Sequence, residues 1–179
     1  VMISGKLKKE KKTPEEDREQ KIQESPAGFS VAVTLHTGQS IQKTFDGRKG
    51  RIRLSDIILE DGNTYIPKLW TTDEPYLYSM TVSVLEDKVE TYFALRTINI
   101  VETPAGKRVC LNGNPVFLHG VLDQGYFPEG IYLPATEKEY EADVLRMKEL
   151  GINMLRKHIK VEPEAFYYAC DRLGMLVMQ

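Results

Sequence analysis

Four polar residues directly follow two short apolar segments. If those segments are neighbouring strands, they could position the four side chains to bind a ligand. Asp123 and Gln124 follow one segment, and Arg156 and His158 follow the other. An arginine can bind a carboxylate through two parallel hydrogen bonds, and a neutral histidine offers one donor and one acceptor. Taken alone, an Arg-x-His pair is more often structural, and Asp123 also fits a turn-capping carboxylate. The elements around these residues must decide between the two roles.

The sequence carries no motif for metal or cofactor chemistry. Cys110 and Cys170 are the only cysteines, and their separation gives neither a CxxC pair nor the spacing of metal ligands. We predict two buried free thiols rather than a disulfide. HExxH, a glycine-rich phosphate loop and a serine nucleophile elbow are also absent from the sequence. It therefore predicts no metal and no cofactor.

The composition excludes several classes of protein. The chain has 179 residues, 41% hydrophobic and 28% charged, with a formal net charge of −2. No run of about 18 apolar residues could span a membrane, and the charge balance gives no basic field for nucleic acid. One or two globular domains remain. The start VMISGKL lacks both a signal-peptide pattern and an initial Met, so we expect a piece of a longer protein, of unassigned compartment.

Residues 28–100 carry the period-2 alternation of β-strands. In residues 29–35, apolar and polar side chains alternate, which is typical of a strand with one buried face. The same pattern predicts strands around 52–54, over 78–84 and over 92–100. Short strands separated by turns favour an antiparallel sandwich.

A highly charged segment lies near the start of the chain. Residues 6–24 mix Lys and Arg with Asp and Glu and cannot form a core. We interpret residues 6–26 as a solvated charged loop, and residues 1–7 as a further strand entering it. A partner-binding basic patch is the alternative interpretation, because Lys8, Lys9, Lys11 and Lys12 cluster.

After residue 103 the pattern changes to alternating strands and helices. Asn112-Gly113 between the apolar segments 108–111 and 115–119 predicts a type I′ hairpin. Thr136 with Glu139 forms a capping-box pair that predicts the start of a helix, and Gly151 is the residue expected just after its end. Short strands at 152–155 and 175–178 flank a second helix that follows Pro163. This order predicts a parallel sheet with right-handed crossovers.

Three stretches, RVCLNGNPVFLHGV, LRMKELGINMLRKH and FYYACDRLGMLVMQ, resemble the entry into the catalytic barrel of family-2 glycoside hydrolases. That family includes β-galactosidases, β-glucuronidases and β-mannosidases. The matching positions are Leu111, Asn112, Gly113, Pro115, Gly120, Val121, Asp143, Lys148, Gly151, Asn153, Arg156, His158, Cys170, Asp171, Gly174 and Val177. Upstream, the segment around Trp70 to Tyr78 and Arg96 is similar to the last strands of the family's immunoglobulin-like domain. The resemblance is strongest over residues 107–179.

The resemblance implies a mainly β plus α/β fold. Residues 1–103 would form an immunoglobulin-like β-sandwich, and residues 104–179 the first strands and helices of an incomplete (β/α)8 TIM barrel. It also implies a retaining hydrolase of β-linked sugars that uses two Glu residues. Both would lie on later barrel strands, so no catalytic residue is assigned here and we expect this chain to be inactive alone.

In such barrels the active site lies at the C-terminal ends of the strands. The resemblance therefore implies substrate binding by Asp123, Gln124, Arg156 and His158. Asp123, Gln124 and His158 would bind sugar hydroxyls, and Arg156 would orient the nucleophilic carboxylate. Tyr126 or Phe127 would stack on a sugar face. Many relatives have an Asn-Arg-His-Glu-like segment where this chain has Leu-Asp-Gln-Gly at 122–125.

Other functions also fit the sequence. The chain could be a carbohydrate-binding or spacer β-sandwich module, or an interaction protein that acts through its charged loop. For Trp70, the only Trp, core or interdomain packing is favoured over a carbohydrate platform. His36 is expected to be exposed, and His119 to be packed or bridging. The expected partner is a carbohydrate substrate of the full-length protein, together with self-association through the open barrel edge.

Overall fold

The computed structural model describes residues 2–4 and 28–179. The chain divides into two compact units. Of the described residues, the first unit comprises 2–4, 28–67 and Tyr78–Phe93, and the second comprises Lys68–Leu77 and Ala94–Gln179. The predicted charged loop lies outside the described residues, and the boundary at 103/104 stays a prediction of domain organisation.

Antiparallel sheets build the first unit. Its strands are β1 (Met2–Ser4), β2 (Phe29–Thr34), β3 (Ser40–Phe45), β4 (Lys49–Arg51), β5 (Tyr78–Val84) and β6 (Asp87–Phe93). Four of them form a sheet in the order β3-β2-β5-β6, while β1 pairs with β4. Phe29, Val31 and Val33 are buried at alternate positions of β2, which confirms the predicted strand with one buried face.

The structure corrects two of the predicted strands. Ile52 and Leu54 are buried as their alternation suggested, but residues Leu54–Asp56 form a 3-10 turn rather than a strand. The single strand predicted over 92–100 is two strands: β6 ends at Phe93, and the next strand begins at Ile98 in a different sheet. Alternation continues through the break, so periodicity alone could not reveal it. The predicted N-terminal strand is confirmed for Met2–Ser4.

The second unit begins with a small antiparallel sheet. Its strands are β7 (Ile98–Thr103), β8 (Gly106–Leu111) and β9 (Asn114–Pro115). Between β8 and β9, Asn112 and Gly113 have φ of 53° and 81°. Two successive positive φ angles are what a type I′ turn requires, so the predicted hairpin is confirmed.

A three-stranded parallel sheet with two helices completes the second unit. Its elements are β10 (Gly120–Asp123), α1 (Lys138–Glu149), β11 (Met154–Lys157), α2 (Glu164–Leu173) and β12 (Leu176–Met178). The strands pair in the order β10-β11-β12, all parallel, as predicted. Each strand follows the previous one through a helix, so the carboxyl ends of all three lie at one edge of the sheet.

The predicted helix signals act at both ends of α1. The Thr136 N–H donates to the Glu139 carboxylate at 3.2 Å, which is one half of a capping box. At the other end Gly151 adopts φ of 77°. There the N–H groups of Gly151 and Ile152 donate to the carbonyls of Lys148 and Met147, the pattern of a Schellman motif. No helix in the described residues is long and apolar enough to cross a membrane.

The core of the parallel part lies between the sheet and the two helices. Its buried members are Phe127, Tyr140, Val144, Ile152, Leu155, Phe166, Ala169, Cys170 and Met175. Cys110 and Cys170 are buried free thiols, as predicted. Burial, followed by the negative charge of Asp171, raises the pKa of the Cys170 thiol to about 12.

Candidate functional site

The register of β10 and β11 separates the candidate residues onto two faces of the sheet. Leu122 pairs with Arg156, and Asp123 pairs with Lys157. Successive side chains of a strand point to opposite faces. Asp123 and Lys157 line the side that holds the helices, so Arg156 lies on the opposite face.

Gln124 and His158 meet just beyond the ends of these two strands. The Gln124 Nε2 and His158 Nδ1 atoms are 3.0 Å apart. The backbone extends the ladder by one more bond, because the His158 N–H donates to the Asp123 carbonyl at 2.9 Å. Two residues that are 34 positions apart in the sequence are thus brought together.

Arg156 is exposed on the same face of the sheet as its partner Leu122. Within residues 28–179, no hydrogen bond or ion pair engages its guanidinium. A guanidinium carries five donors, so Arg156 can bind an oxyanion brought to this face.

Asp123 is engaged by its own surroundings. Its Oδ1 accepts a hydrogen bond from the Gly125 N–H at 2.8 Å, and its Oδ2 lies 2.9 Å from Lys157 Nζ. The first contact is the turn-capping arrangement that the sequence left open as the alternative. Asp123 therefore fixes the start of the loop that follows β10.

A cluster of four charged residues, Asp123, Lys157, Lys160 and Glu162, lies beneath this loop and is called the charge cluster here. The side chains of Lys157 and Glu162 are 0% exposed, and their Nζ and Oε1 atoms are 2.6 Å apart. Lys160 Nζ lies 3.0 Å from Glu162 Oε2. Two positive charges thus face two negative charges, which offsets the large cost of removing them from water.

Aromatic rings surround the charge cluster. Lys157 Nζ lies 4.8 Å from the centre of the Phe166 ring, a favourable cation–π distance. The Tyr140 hydroxyl donates to Glu162 Oε2 at 3.4 Å. Burial, and next the negative charge of Glu162, raises the pKa of Tyr140 to about 12. Tyr140 therefore stays protonated beside the carboxylate.

Gly125 packs directly against the charge cluster. Its φ of +62° is in the left-handed region, and a Cβ there would collide with Glu162 Oε1 and lie 2.7 Å from Lys157 Nζ. Only glycine satisfies both the backbone angle and the available space.

A cavity of about 280 Å³ opens next to the charge cluster. Its walls combine apolar residues of the core with charged members of the cluster, namely Val121, Val144, Met147, Leu155, Asp123, Lys157 and Glu162. Among residues 28–179 no group of three His, Cys, Asp or Glu side chains is placed to hold a metal ion.

Trp70 has a packing role. Its ring is 1% exposed, its indole N–H donates to the Asp171 carbonyl at 2.6 Å, and the Arg96 guanidinium lies 4.8 Å from the ring centre. A carbohydrate platform needs an open ring face, so the packing interpretation of Trp70 is confirmed.

Sequence reasoning missed Lys157, Lys160, Glu162 and Tyr140. One signal was present: Lys157 stands two positions after Leu155, in the phase of the strand that points to the core. A charged residue at a core position implies a buried partner. That partner, Glu162, follows the strand and precedes α2.

The chain belongs to the glycosyl hydrolases family 2. The sequence model of that family matches residues 4–96. The resemblance seen in the sequence rests mainly on residues 107–179, so the family match supports it from a different part of the chain.

Individual relatives agree with this family. A β-galactosidase of Pseudoalteromonas haloplanktis is 30% identical over 169 residues, which cover 86% of this chain and 16% of that protein. A β-glucuronidase of Faecalibacterium prausnitzii has a similar structure, with a TM-score of 0.67 at 24% identity over 86% of this chain and 23% of that one.

A β-glucuronidase of Parabacteroides merdae gives a TM-score of 0.64 at 23% identity, covering 85% of this chain and 19% of that one. The fold is thus mainly β with few helices and is like that of these β-glucuronidases. The chain spans only about 16% of the length of the β-galactosidase it matches.

Proposed function

We propose that this chain is part of a retaining glycoside hydrolase that cleaves O-glycosyl bonds of β-linked sugars. In this proposal the first domain is an immunoglobulin-like sandwich, and residues 104–179 begin a (β/α)8 barrel. The meeting of Gln124 and His158 at the carboxyl ends of parallel strands carries the proposal. Barrel enzymes build their active sites at that end.

Each candidate residue then has a distinct task. Gln124 and His158 bind sugar hydroxyls, because both present polar atoms beyond the strand ends. Arg156 orients the nucleophilic carboxylate through its open guanidinium. Asp123 contributes to substrate binding by holding the loop that carries Gln124, since its carboxylate is bound to Lys157 and Gly125.

The chemistry needs two carboxylates about 5 Å apart, one to protonate the leaving oxygen and one to attack the anomeric carbon. We place both on barrel strands that follow β12 in the full-length enzyme. The 179-residue chain alone is accordingly expected to hydrolyse no glycoside.

Kinetics of the full-length enzyme test the proposal. Assays with p-nitrophenyl β-galactoside, β-glucuronide and β-mannoside should show hydrolysis of at least one, and NMR of the first product should show retention of configuration. His158→Ala should lower kcat/KM about 10²-fold, as loss of one positioned donor does.

His119→Ala is the matched control, because His119 precedes the amino end of β10, at the opposite edge of the sheet. Failure to hydrolyse any β-glycoside would contradict the hydrolase. Sugar binding without hydrolysis would instead favour a carbohydrate-binding module.

We further propose that the isolated chain self-associates through its parallel sheet. In the described residues β10 and β12 each pair on one side only, and unpaired strand edges are templates for association. Sedimentation velocity should show a mass that increases with concentration. A monomer at every concentration would contradict this.

A further inference from the structure

Both chain neighbours of Gln124 are held by lysines. On one side, Asp123 Oδ2 lies 2.9 Å from Lys157 Nζ. On the other side, the Gly125 carbonyl accepts a hydrogen bond from Lys160 Nζ at 2.6 Å. Lys157 is the last residue of β11, and Lys160 follows it in the chain. The backbone around Gln124 is therefore fixed to the carboxyl end of β11.

The Lys160 ammonium uses its three donors within the chain. Besides the Gly125 carbonyl, it donates to the Tyr132 carbonyl and lies 3.0 Å from Glu162 Oε2. An ammonium has three N–H groups and no acceptor, so each group is matched here. The backbone is held as well, because the Lys160 carbonyl accepts a bond from Gln179 Nε2 at 3.0 Å. Lys160 is thus a fixed link between the ends of all three parallel strands.

The turn between His158 and Lys160 has an unfavourable backbone conformation. Ile159 has φ of 70°, in the left-handed region that β-branched residues rarely occupy. Ile159 is 87% exposed, so packing of its side chain does not explain the angle. Such a conformation persists where the surroundings impose it. The bond from the His158 N–H to β10 and the contacts of Lys160 supply that constraint.

We propose that Lys160 is a positioning residue that sets the contact between Gln124 and His158. The proposal rests on the proposed function, in which these two side chains bind the sugar. Lys160 holds the carbonyl that follows Gln124 and the turn that follows His158. It acts on the substrate through these two residues, since its own donors are already used.

The contact between Gln124 and His158 defines a signal that reports the position of both side chains. The amide Nε2 of Gln124 can only donate, so His158 Nδ1 accepts across 3.0 Å. The amide protons then lie near the Hε1 proton of His158, on the carbon beside Nδ1. NMR of the isotope-labelled chain should show a nuclear Overhauser effect between them.

Lys160→Met tests the positioning role without requiring turnover. The variant keeps the length of the side chain but removes the three donors, so the Overhauser effect between Gln124 and His158 should be lost. Trp70 fluorescence reports whether the second unit is still folded. If Lys160→Met does not fold, Lys160→Gln provides the same test, because its polar group is too short to reach both carbonyls.

Lys148→Met is the matched control. Lys148 Nζ also donates to two backbone carbonyls, those of Thr72 at 2.6 Å and Gly174 at 3.4 Å. Lys148 lies in the last turn of α1, which leads to the amino end of β11, at the opposite edge of the sheet. Its loss should lower the stability of the second unit but leave the Overhauser effect unchanged.

Kinetics of the full-length enzyme give a second readout. Lys160→Met should lower kcat/KM about 10-fold, since small displacements of positioned groups are costly. The loss should disappear when Gln124→Ala and His158→Ala are already present, because coupled residues do not have additive effects. An equal loss in that background would overturn the positioning role.

The proposal would also be overturned by three results of the NMR experiment: no Overhauser effect in the wild type, an unchanged effect in folded Lys160→Met, or an equal loss in Lys148→Met. These results are separable from the proposed hydrolase. Hydrolysis that is unaffected by Lys160→Met would remove the positioning role alone. The expected NMR result with a full-length protein that hydrolyses no β-glycoside would remove the hydrolase alone.

Discussion

The two units bury polar groups in different ways. Among the described residues of the first unit, one buried contact between polar side chains is neutral, a hydrogen bond of 3.1 Å between the hydroxyls of Tyr65 and Tyr78. In the second unit the buried groups include the ionised pair of Lys157 and Glu162. A buried ion pair is rarely the most stable solution for a core. In the second unit these buried charges also contact the loop after β10, through Asp123 with Gly125 and through Lys160 with the carbonyls of Gly125 and Tyr132.

The largest expected loss of stability comes from adding one methyl group beside the charge cluster. Gly125→Ala should destabilise the second unit by about 4 kcal/mol, because a left-handed Ala costs about 1–2 kcal/mol and the new Cβ would disrupt the buried pair. Urea unfolding followed by the fluorescence of Trp70 measures this, because Trp70 is the only Trp and lies in the second unit.

Gly38→Ala is the control for Gly125→Ala. Gly38 has φ of +88° in the first unit, with no atom within 4 Å of the added Cβ. Its substitution should cost only the backbone term, about 1–2 kcal/mol, read by circular dichroism. Equal losses at the two glycines would mean that the charge cluster does not depend on the space at Gly125.

A smaller loss should follow neutralisation of one buried carboxylate. Glu162→Gln leaves Lys157 buried with Asp123 as its remaining partner, and should cost about 3 kcal/mol. Lys157→Met together with Glu162→Gln should recover part of that loss, since the fully buried Lys157 ammonium is gone while Lys160 still donates to the carbonyls of Gly125 and Tyr132. The same urea titrations give both values.

The exposed pair of Lys88 and Glu90 in the first unit is the matched comparison. Glu90→Gln should change stability by less than about 1 kcal/mol. If Glu162→Gln were equally mild, the charge cluster would be no more important than a surface pair, and the contrast between the units would fail.

The smallest expected effect is a dependence on alkaline pH. The pKa of Tyr140 is raised from 10.0 to about 12 in the folded chain, so the folded state holds this proton more tightly than the unfolded state. The resulting stability is complete below pH 10 and is lost as the pH rises towards 12. Unfolding of the wild type and of Tyr140→Phe at several pH values should show a steeper loss in the wild type. If the wild type and Tyr140→Phe lost stability equally as the pH rises, the Tyr140 proton would not contribute to the stability of the charge cluster.

Patterns of adjacent residues in the sequence predicted the elements whose conformation those residues determine by themselves. Alternation placed β2, and Asn112-Gly113 placed the hairpin between β8 and β9 because their backbone angles suit few other residues. The edge strand β3 was missed, since its sequence SIQKTF presents mostly exposed polar residues. A strand at a sheet edge needs little apolar pattern to form.

The sequence predicted where the candidate site lies, but it predicted only some of the contacts that its residues make. Gln124 and His158 were both named from the sequence, and the parallel register brings them together. The charge cluster escaped prediction because Lys157 meets Glu162 only after the chain turns beyond β11. Partnerships made across turns are decided by tertiary packing, which local periodicity does not encode.

The segment Lys68–Leu77 lies between strands of the first unit in the sequence but packs in the second. The Trp70 indole N–H donates to the carbonyl of Asp171, 101 residues later. At a synthesis rate of about 5–20 residues per second, Asp171 is added roughly 5–20 s after Trp70. The strands of the first unit, in contrast, are complete once residue 93 has been added. The packing around Trp70 is therefore completed only after Asp171 has been synthesised, well after the strands of the first unit.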